Sequence, residues 1–218
     1  MTPDTPSADQ ILTTTRAVRR RLDLERDVDR SLIEECVEIA QQAPTGSNTQ
    51  GWHFLVVTEP ILRAELGAIY REAWDLYAPS SLSALNVYHG DDPRRQEAQR
   101  RVVDSGRYLA EHLAQVPVHV IPCIEGRADG QPSVLQSVLW GSIIPAAWSF
   151  MLAARRRGLG TSYTTLHLLF EDRAAHALDI PFDRITQAAL IPVAHANATA
   201  FKTAPREPAS SVIHWERW

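Results

Sequence analysis

Ala43-Pro44-Thr45-Gly46-Ser47-Asn48-Thr49-Gln50-Gly51-Trp52 is the stretch around which the rest of the chain is arranged. To its left, Leu32, Cys36, Ile39, Ala40 and Ala43 recur at three- and four-residue steps, the period of one helix face. To its right, Phe54-Leu55-Val56-Val57 has the unbroken apolar character of a buried strand. Pro44 ends the helix, because it has no N–H to donate and its ring disfavours helical geometry in the residue before it. Between helix and strand lie small and amide side chains with two glycines, Gly46 and Gly51. A helix stop followed by a Ser/Asn-rich turn is one reading. The density of short donors and acceptors exceeds what one turn needs, and the other reading is a polar lip that hydrogen-bonds a planar heteroaromatic ligand.

This loop resembles the Pro-Ser-Ser-x-Asn-x-Gln-Pro-Trp loop of the FMN-dependent nitroreductase family, with Gly51 in place of the second proline. Further segments resemble that family in the same order. The resemblance runs from about residue 14 to the C-terminus and leaves residues 74–107 without a counterpart.

The segment Arg16-Ala17-Val18-Arg19-Arg20-Arg21 is by itself either a solvated charged face or an anion clamp, since an arginine fork meets phosphate oxygens bidentately. It resembles the family's Arg-Arg-Ser-x-Arg segment, which holds the FMN phosphate. Aligned without gaps, Arg16 and Arg20 match the two outer arginines; shifted by one residue, Arg16 and Arg19 do. The serine is absent in either register, with Val18 or Ala17 in its place. Gly158-Leu159-Gly160-Thr161 resembles the family's Gly-Leu-Gly-Thr segment. That likeness implies that backbone groups of Tyr163, Thr164, Thr165 and Leu166 approach the flavin N5. It also implies that Pro44, Thr45, Gly46, Ser47, Asn48 and Gln50 line the flavin from the second subunit, and that Arg206 of the tail joins the phosphate.

The 218 residues, 44% hydrophobic, suffice for one core, and residues 1–218 read as a single domain. A net charge of −4 provides no basic field for a nucleic acid or an anionic membrane, so neither is an expected partner. The apolar stretch 134–152 is interrupted by Gln136, Ser137, Ser142 and Pro145, and residues 1–10 lack a cationic leader; a cytoplasmic protein is expected. The two cysteines, Cys36 and Cys123, are too few for a disulfide framework and read as buried thiols. The eight histidines include no His-x-x-x-His, and no Gly-x-Ser-x-Gly elbow or carboxylate pair stands out, so neither a metal site nor a serine hydrolase is expected.

Periodicity predicts helices over residues 7–15, 29–42, 60–77, 94–115, 136–157 and 169–178, and strands over 53–58, 117–125, from 161, and over 187–193. Ser31 to Glu34 reads as a capping box. Pro122 marks an edge or a bulge, Pro145 a kink, and Arg155-Arg156-Arg157 before Gly158 a helix C-terminus stabilised by its dipole. Residues 78–92, with turn signals around Leu82, Leu85, Val87 and Tyr88, belong to a variable lid region, 74–107. Irregular alternation of helices and strands argues an α+β sandwich with one mixed sheet flanked by helices.

The resemblance implies a nitroreductase-like three-layer sandwich in an intertwined homodimer, with the tail, 197–218, reaching the partner. Val212, Ile213, Trp215 and Trp218 would be wasted on a solvated terminus. It further implies an FMN-dependent oxidoreductase with ping-pong hydride transfer from NADH or NADPH through flavin N5 to a small organic acceptor such as a nitroaromatic or quinone. No protein group need act as a general acid. Other reactions on the same scaffold, such as dehalogenation, enoate reduction or dehydrogenation, and non-enzymatic flavin storage, are the alternatives.

Overall fold

In the computed structural model, which describes residues 7–198 and 200–218, the central strand is β2 (Val118–Glu125), buried at every position but its last. β1 (Trp52–Val57) runs antiparallel to it, from Trp52 opposite Ile124 to Val57 opposite His119. Along the other side of β2 lie β4 (Ile185–Gln187) and β5 (Ile191–His195), and β3 (Leu159–Thr161) pairs with β5. Every pairing among the described residues is antiparallel, which corrects the expected mixed sheet. The strand expected from residue 161 instead begins at Leu159 and ends at Thr161.

The register changes by one residue beside Pro122. Val120 faces Ile191, whereas Cys123 faces Gln187, so Ile121 and Pro122 stand against Ala188, Ala189 and Leu190. This is a β-bulge. Pro122 has no N–H for the ladder, and the neighbouring strand bends there while Ala188 donates its amide to the Pro122 carbonyl at 2.8 Å. The bulge half of the expectation holds; the edge half does not, because β2 is central.

Strand side chains alternate between two cores. Ile121 and Cys123, with Leu55 and Val57, pack in one cluster with Leu66 and Tyr70 of α3 (Pro60–Tyr77) and Val103 and Leu109 of α4 (Pro93–His112). Val118 and Val120, with Phe54, pack in the other against Ile33 and Cys36 of α2 (Arg30–Ala40) and Phe150 and Met151 of α5 (Ser133–Arg156). Helix, sheet and helix thus form three layers, the α+β sandwich expected. Phe150 is fully buried, and truncating such a phenylalanine to alanine costs about 3–5 kcal/mol.

Local signals held unevenly. Pro60 opens α3 at the expected position. At α2 the cap is Asp29, whose carboxylate accepts from the Ser31 amide at 3.2 Å, and Glu34 pairs with Arg30 instead of closing a box on Ser31. A capping box does form at α1 (Ala8–Thr14), between Ser7 and Gln10. Ile39, expected on the core face of α2, is 42% exposed, and Ile33 is buried in its stead. α5 continues through Pro145 as one helix and stops at Gly158, whose φ of +77° suits glycine. Its terminal arginines do more than face the dipole: Arg157 donates to Glu35 at 2.8 Å, and Arg155 lies 4.7 Å from the Phe201 ring centroid.

Among the described residues α5 is the one helix long and apolar enough by composition to cross a bilayer, with 44% of the relevant window buried inside the chain. Cys36 and Cys123 are free and buried, and burial pushes their thiols up to about 11 and about 12. Beyond β3, a short 3-10 turn (Leu166–Phe170) leads into α6 (Glu171–Ala177). Arg127 fastens that corner through a two-pronged bond to Glu171, both contacts 2.9 Å.

Candidate functional site

The arginine segment is laid along the rim of the sheet by backbone bonds. Val18 donates its amide to Thr161 of β3 at 2.8 Å, Asp23 to His195 at 2.8 Å, and Asn197 returns to Arg21 at 2.9 Å. Val18 is only 4% exposed because it closes over Gly160. A Cβ at Gly160 would stand 2.9 Å from Val18 Cγ1 and 3.0 Å from Leu22 Cδ2, so a side chain there would lift the segment off the strand. With Val18 turned inward, Arg16, Arg19, Arg20 and Arg21 line a cleft of about 600 Å³. Arg101 and Ser105 of α4 and Phe201 and Lys202 of the tail form its other walls.

The four arginines differ in what they hold. Arg16 donates to the carbonyls of Thr15 at 2.7 Å, Thr13 at 3.0 Å and Lys202 at 2.9 Å, which ties the root of the tail to the cleft. Arg19 donates to Ser105 Oγ at 3.1 Å. Arg20 donates to the Asp104 carbonyl at 3.3 Å and lies 5.1 Å from the Tyr108 ring centroid. Arg21 lies 5.9 Å from the Phe201 centroid. Among the described residues none of the four has a carboxylate within 4.0 Å. Burial lowers the Arg19 pKa, against the opposing influence of Tyr70 and Tyr77. Desolvating a guanidinium without a counter-charge is unfavourable. The cleft therefore has the donors and the field for a dianionic phosphomonoester, the group that an FMN tail presents.

The segment after β3 adjoins this cleft. Thr164 exchanges backbone bonds with Leu190, at 3.2 and 2.8 Å, and its hydroxyl lies 2.7 Å from that of Tyr70. Tyr70 is also an electrostatic neighbour of Arg19. Tyr163 donates to the Ala188 carbonyl at 3.1 Å, Leu166 packs into the α3 core, and Thr165 is exposed. Arg16, Arg19 and Arg20 are thus brought together in the cleft, and Thr164 is linked to Arg19 only through Tyr70. Ser162 and His167 of the same segment are fully buried, with Ser162 Oγ and both His167 nitrogens unpartnered among the described residues, and burial takes His167 down to about 3.

The polar loop lies elsewhere. Pro44 is exposed ahead of a 3-10 turn, Gly46–Asn48. Thr45 Oγ1 accepts from the Gln50 amide at 3.1 Å, and the Gln50 side chain donates to Asn48 Oδ1 at 3.0 Å. The loop is clamped to α5: Gly46 donates to Ser142 Oγ and the Trp52 indole to the Ser142 carbonyl, both at 3.0 Å. A Cβ at Gly46 would stand 2.4 Å from Val138 Cγ1, which explains the glycine. Ser47, Asn48 and Gln50 adopt φ of 52°, 54° and 51°, a left-handed geometry that costs a non-glycine residue on the order of 1 kcal/mol or more. No hydrogen bond among the described residues joins the loop to the arginine cleft within one chain, and the two do not line a common cavity.

Arg206 is exposed and donates to the carbonyl of its neighbour Pro205 at 3.0 Å. The tail cation at the cleft is Lys202, which the sequence reading did not single out, nor did it single out Arg101 and Ser105. A signal for the latter pair existed. Ala98, Arg101, Val102 and Ser105 fall at steps of three and four on a predicted helix, one face that carries a cation and a hydroxyl.

The profile of the Nitroreductase family matches residues 12–195. No curated protein matches the chain significantly. Similar solved structures include iodotyrosine deiodinase bound to FMN and 3-iodo-L-tyrosine, 17% identical, with a TM-score of 0.68 and 95% of this chain and 98% of that one covered. The FMN- and NADPH-dependent nitroreductase NfnB of Sphigopyxis sp. strain HMH is 21% identical, with a TM-score of 0.66 and 98% and 100% covered. A nitroreductase with bound FMN from Desulfitobacterium hafniense is 17% identical, with a TM-score of 0.64 and 95% and 96% covered. At such identities these structures speak to the fold, and the family rests on the profile that spans most of the sequence: the chain belongs to the nitroreductase family.

Proposed function

We propose that this chain is an FMN-dependent oxidoreductase that acts as a homodimer and carries reducing equivalents from NADH or NADPH to a small organic acceptor such as a nitroaromatic or a quinone. The observation that carries the reading is the cleft lined by Arg16, Arg19, Arg20 and Arg21, none of them paired with a carboxylate among the described residues, beside β3, in a member of the nitroreductase family. Similar structures bind FMN, and NfnB depends on NADPH, which supports the choice of cofactor and donor.

Arg19 and Arg20 hold the phosphate in this reading, and Arg16 fixes the tail root beside it. Backbone groups from Tyr163 to Leu166 face the ring system, with Thr164 held by Tyr70. The polar loop, remote from the cleft of its own chain, serves the cleft of the second subunit. The exposed apolar residues Val134, Val138, Ile144 and Trp148 on α5 and Trp215 and Trp218 on the tail, 40% to 102% exposed, supply surface for that association. When bound, FMN supplies hydride transfer at N5 in a ping-pong cycle, and the chain contributes position and charge.

The test is an absorption spectrum of the purified protein followed by steady-state NADH and NADPH oxidation against nitroaromatic, quinone and halogenated acceptors. The expected result is a yellow protein that releases FMN on denaturation and turns over with one of the first two acceptor classes. A colourless protein that takes up no added FMN overturns the proposal.

A further inference from the structure

We propose that Ser105 of α4 is a phosphate-binding and flavin-selecting residue: its hydroxyl donates to the FMN phosphate beside Arg19. The inference rests on the FMN reading above and assigns a role to a helix for which the sequence resemblance provided no counterpart. Within the described lining of the cleft, Ser105 is the only side chain with a hydroxyl. The arginine segment itself has none, since Ala17 and the buried Val18 stand between its cations.

Geometry favours the assignment on both sides of the oxygen. Ser105 Oγ accepts from Arg19 Nη1 at 3.1 Å, so the hydroxyl already sits against a partly buried guanidinium, and that bond polarises its O–H. The proton is directed at the Val102 carbonyl, 3.0 Å away and three residues earlier on the same helix. Such back-bonds contribute little to a helix, and a rotation about the Cβ–Oγ bond, which leaves the oxygen beside Arg19, frees the proton for a better acceptor. A dianionic phosphate in the cleft is that acceptor, because hydrogen bonds to charged groups are roughly twice as strong as neutral ones. Arg101, one turn earlier on α4, lines the same wall, with part of its charge engaged by Glu97 at 3.4 Å. Phosphate contact from α4 separates FMN from riboflavin, which is identical in its ring but has no phosphate to meet Ser105.

The experiment titrates the full-length wild-type chain, Ser105→Ala and Ser105→Thr with FMN and with riboflavin, followed by quenching of flavin fluorescence. Ser105→Ala is expected to weaken FMN binding about ten- to a hundredfold and to leave riboflavin within about twofold, while Ser105→Thr, which keeps a hydroxyl, retains most of the FMN affinity. Equal losses for the two flavins, or none for FMN, would overturn the assignment and make Ser105 a structural residue of α4. A wild-type chain that binds neither flavin sinks the FMN reading itself, an outcome distinct from wild-type FMN binding that is insensitive to Ser105.

Discussion

The hydroxyl groups of Tyr70 and Thr164 stand 2.7 Å apart and join α3 to the segment that leaves β3. Tyr70 is almost completely buried, and burial raises its pKa above the usual phenol value, so this bond persists into alkaline solution. Tyr70→Phe removes it with little change of volume. The expected cost is about 0.5–1.5 kcal/mol in urea unfolding, with a shift of the bound flavin's visible bands as Thr164 loses its tether. An unfolding midpoint and a spectrum both identical to wild type would show that the bond holds nothing in place.

Arg16 and Arg19 are predicted to fail in different ways. Arg19→Ala removes a proposed phosphate donor and should weaken FMN binding by about 1.5–3 kcal/mol, with the tail undisturbed. Arg16→Ala also cuts the bond to the Lys202 carbonyl, so loss of flavin should come with faster tryptic cleavage at Lys202 and Arg206. Titration and a timed digest distinguish the two. Identical digests for both variants would place the anchor of the tail elsewhere.

The tail is the third subject. Trp215 and Trp218 are 80% and 102% exposed in the isolated chain. Burying one tryptophan, about 150–250 Å² at roughly 25 cal/mol/Å², stabilises an interface by several kcal/mol before ordering entropy. In the proposed dimer, where the flavin site is shared between subunits, a chain that ends at Pro208 should dissociate more readily and retain less FMN. Light scattering and flavin content check both. A truncated chain that remains a fully loaded dimer would assign the tryptophans another purpose.

Acid should weaken the fold through two histidines. Burial lowers His119 to about 4 and His167 to about 3, whereas the unfolded chain takes up a proton near 6.5. His119 Nε2–H donates to the Leu113 carbonyl at 2.9 Å and the ring stays neutral. Below pH 6.5 the unfolded state binds more protons, so the stability present above about 6.5 falls as pH drops, towards 4 for His119 and towards 3 for His167. For His119 alone the loss approaches about 3 kcal/mol by pH 4. His119→Gln, compared with wild type by urea midpoints across that range, should show a shallower slope; an unchanged slope would exclude His119 as a source.

Much of the architecture was legible because it is written in local chemistry. Pro60 announces the first turn of α3, Gly158 the end of α5, and the unbroken apolar run from Phe54 to Val57 the buried strand β1, while the division of the strands' side chains between two cores emerges only in the fold. The cap of α2 was misplaced: the sequence pointed to Ser31, but Ser31 lies inside the helix, and Asp29, with extended dihedrals (φ −61°, ψ 133°), accepts from the Ser31 amide. The cleft was half legible. The arginines are adjacent in sequence, but Lys202 and Ser105 reach them across long separations through Phe201, Val18 and the backbone of β3, contacts that no short window contains. Arg206 carried the right charge at a position that the chain does not bring to the cleft.

The bulge opposite Pro122 bears on how the chain tolerates change in length. Leu190, its last residue, is the one that exchanges both backbone bonds with Thr164. Deleting any one of Ala188, Ala189 and Leu190 would straighten the strand, but it would put β4 and β5 into one register and turn one of them inside out. Gln187 or Ile191 would then point to the wrong layer, and the partner of Thr164 would move away. The extra residue works as a phase shifter between two short strands, and variation in length among functional descendants of this chain should spare it while the loops at 78–92 and 126–132 expand and contract.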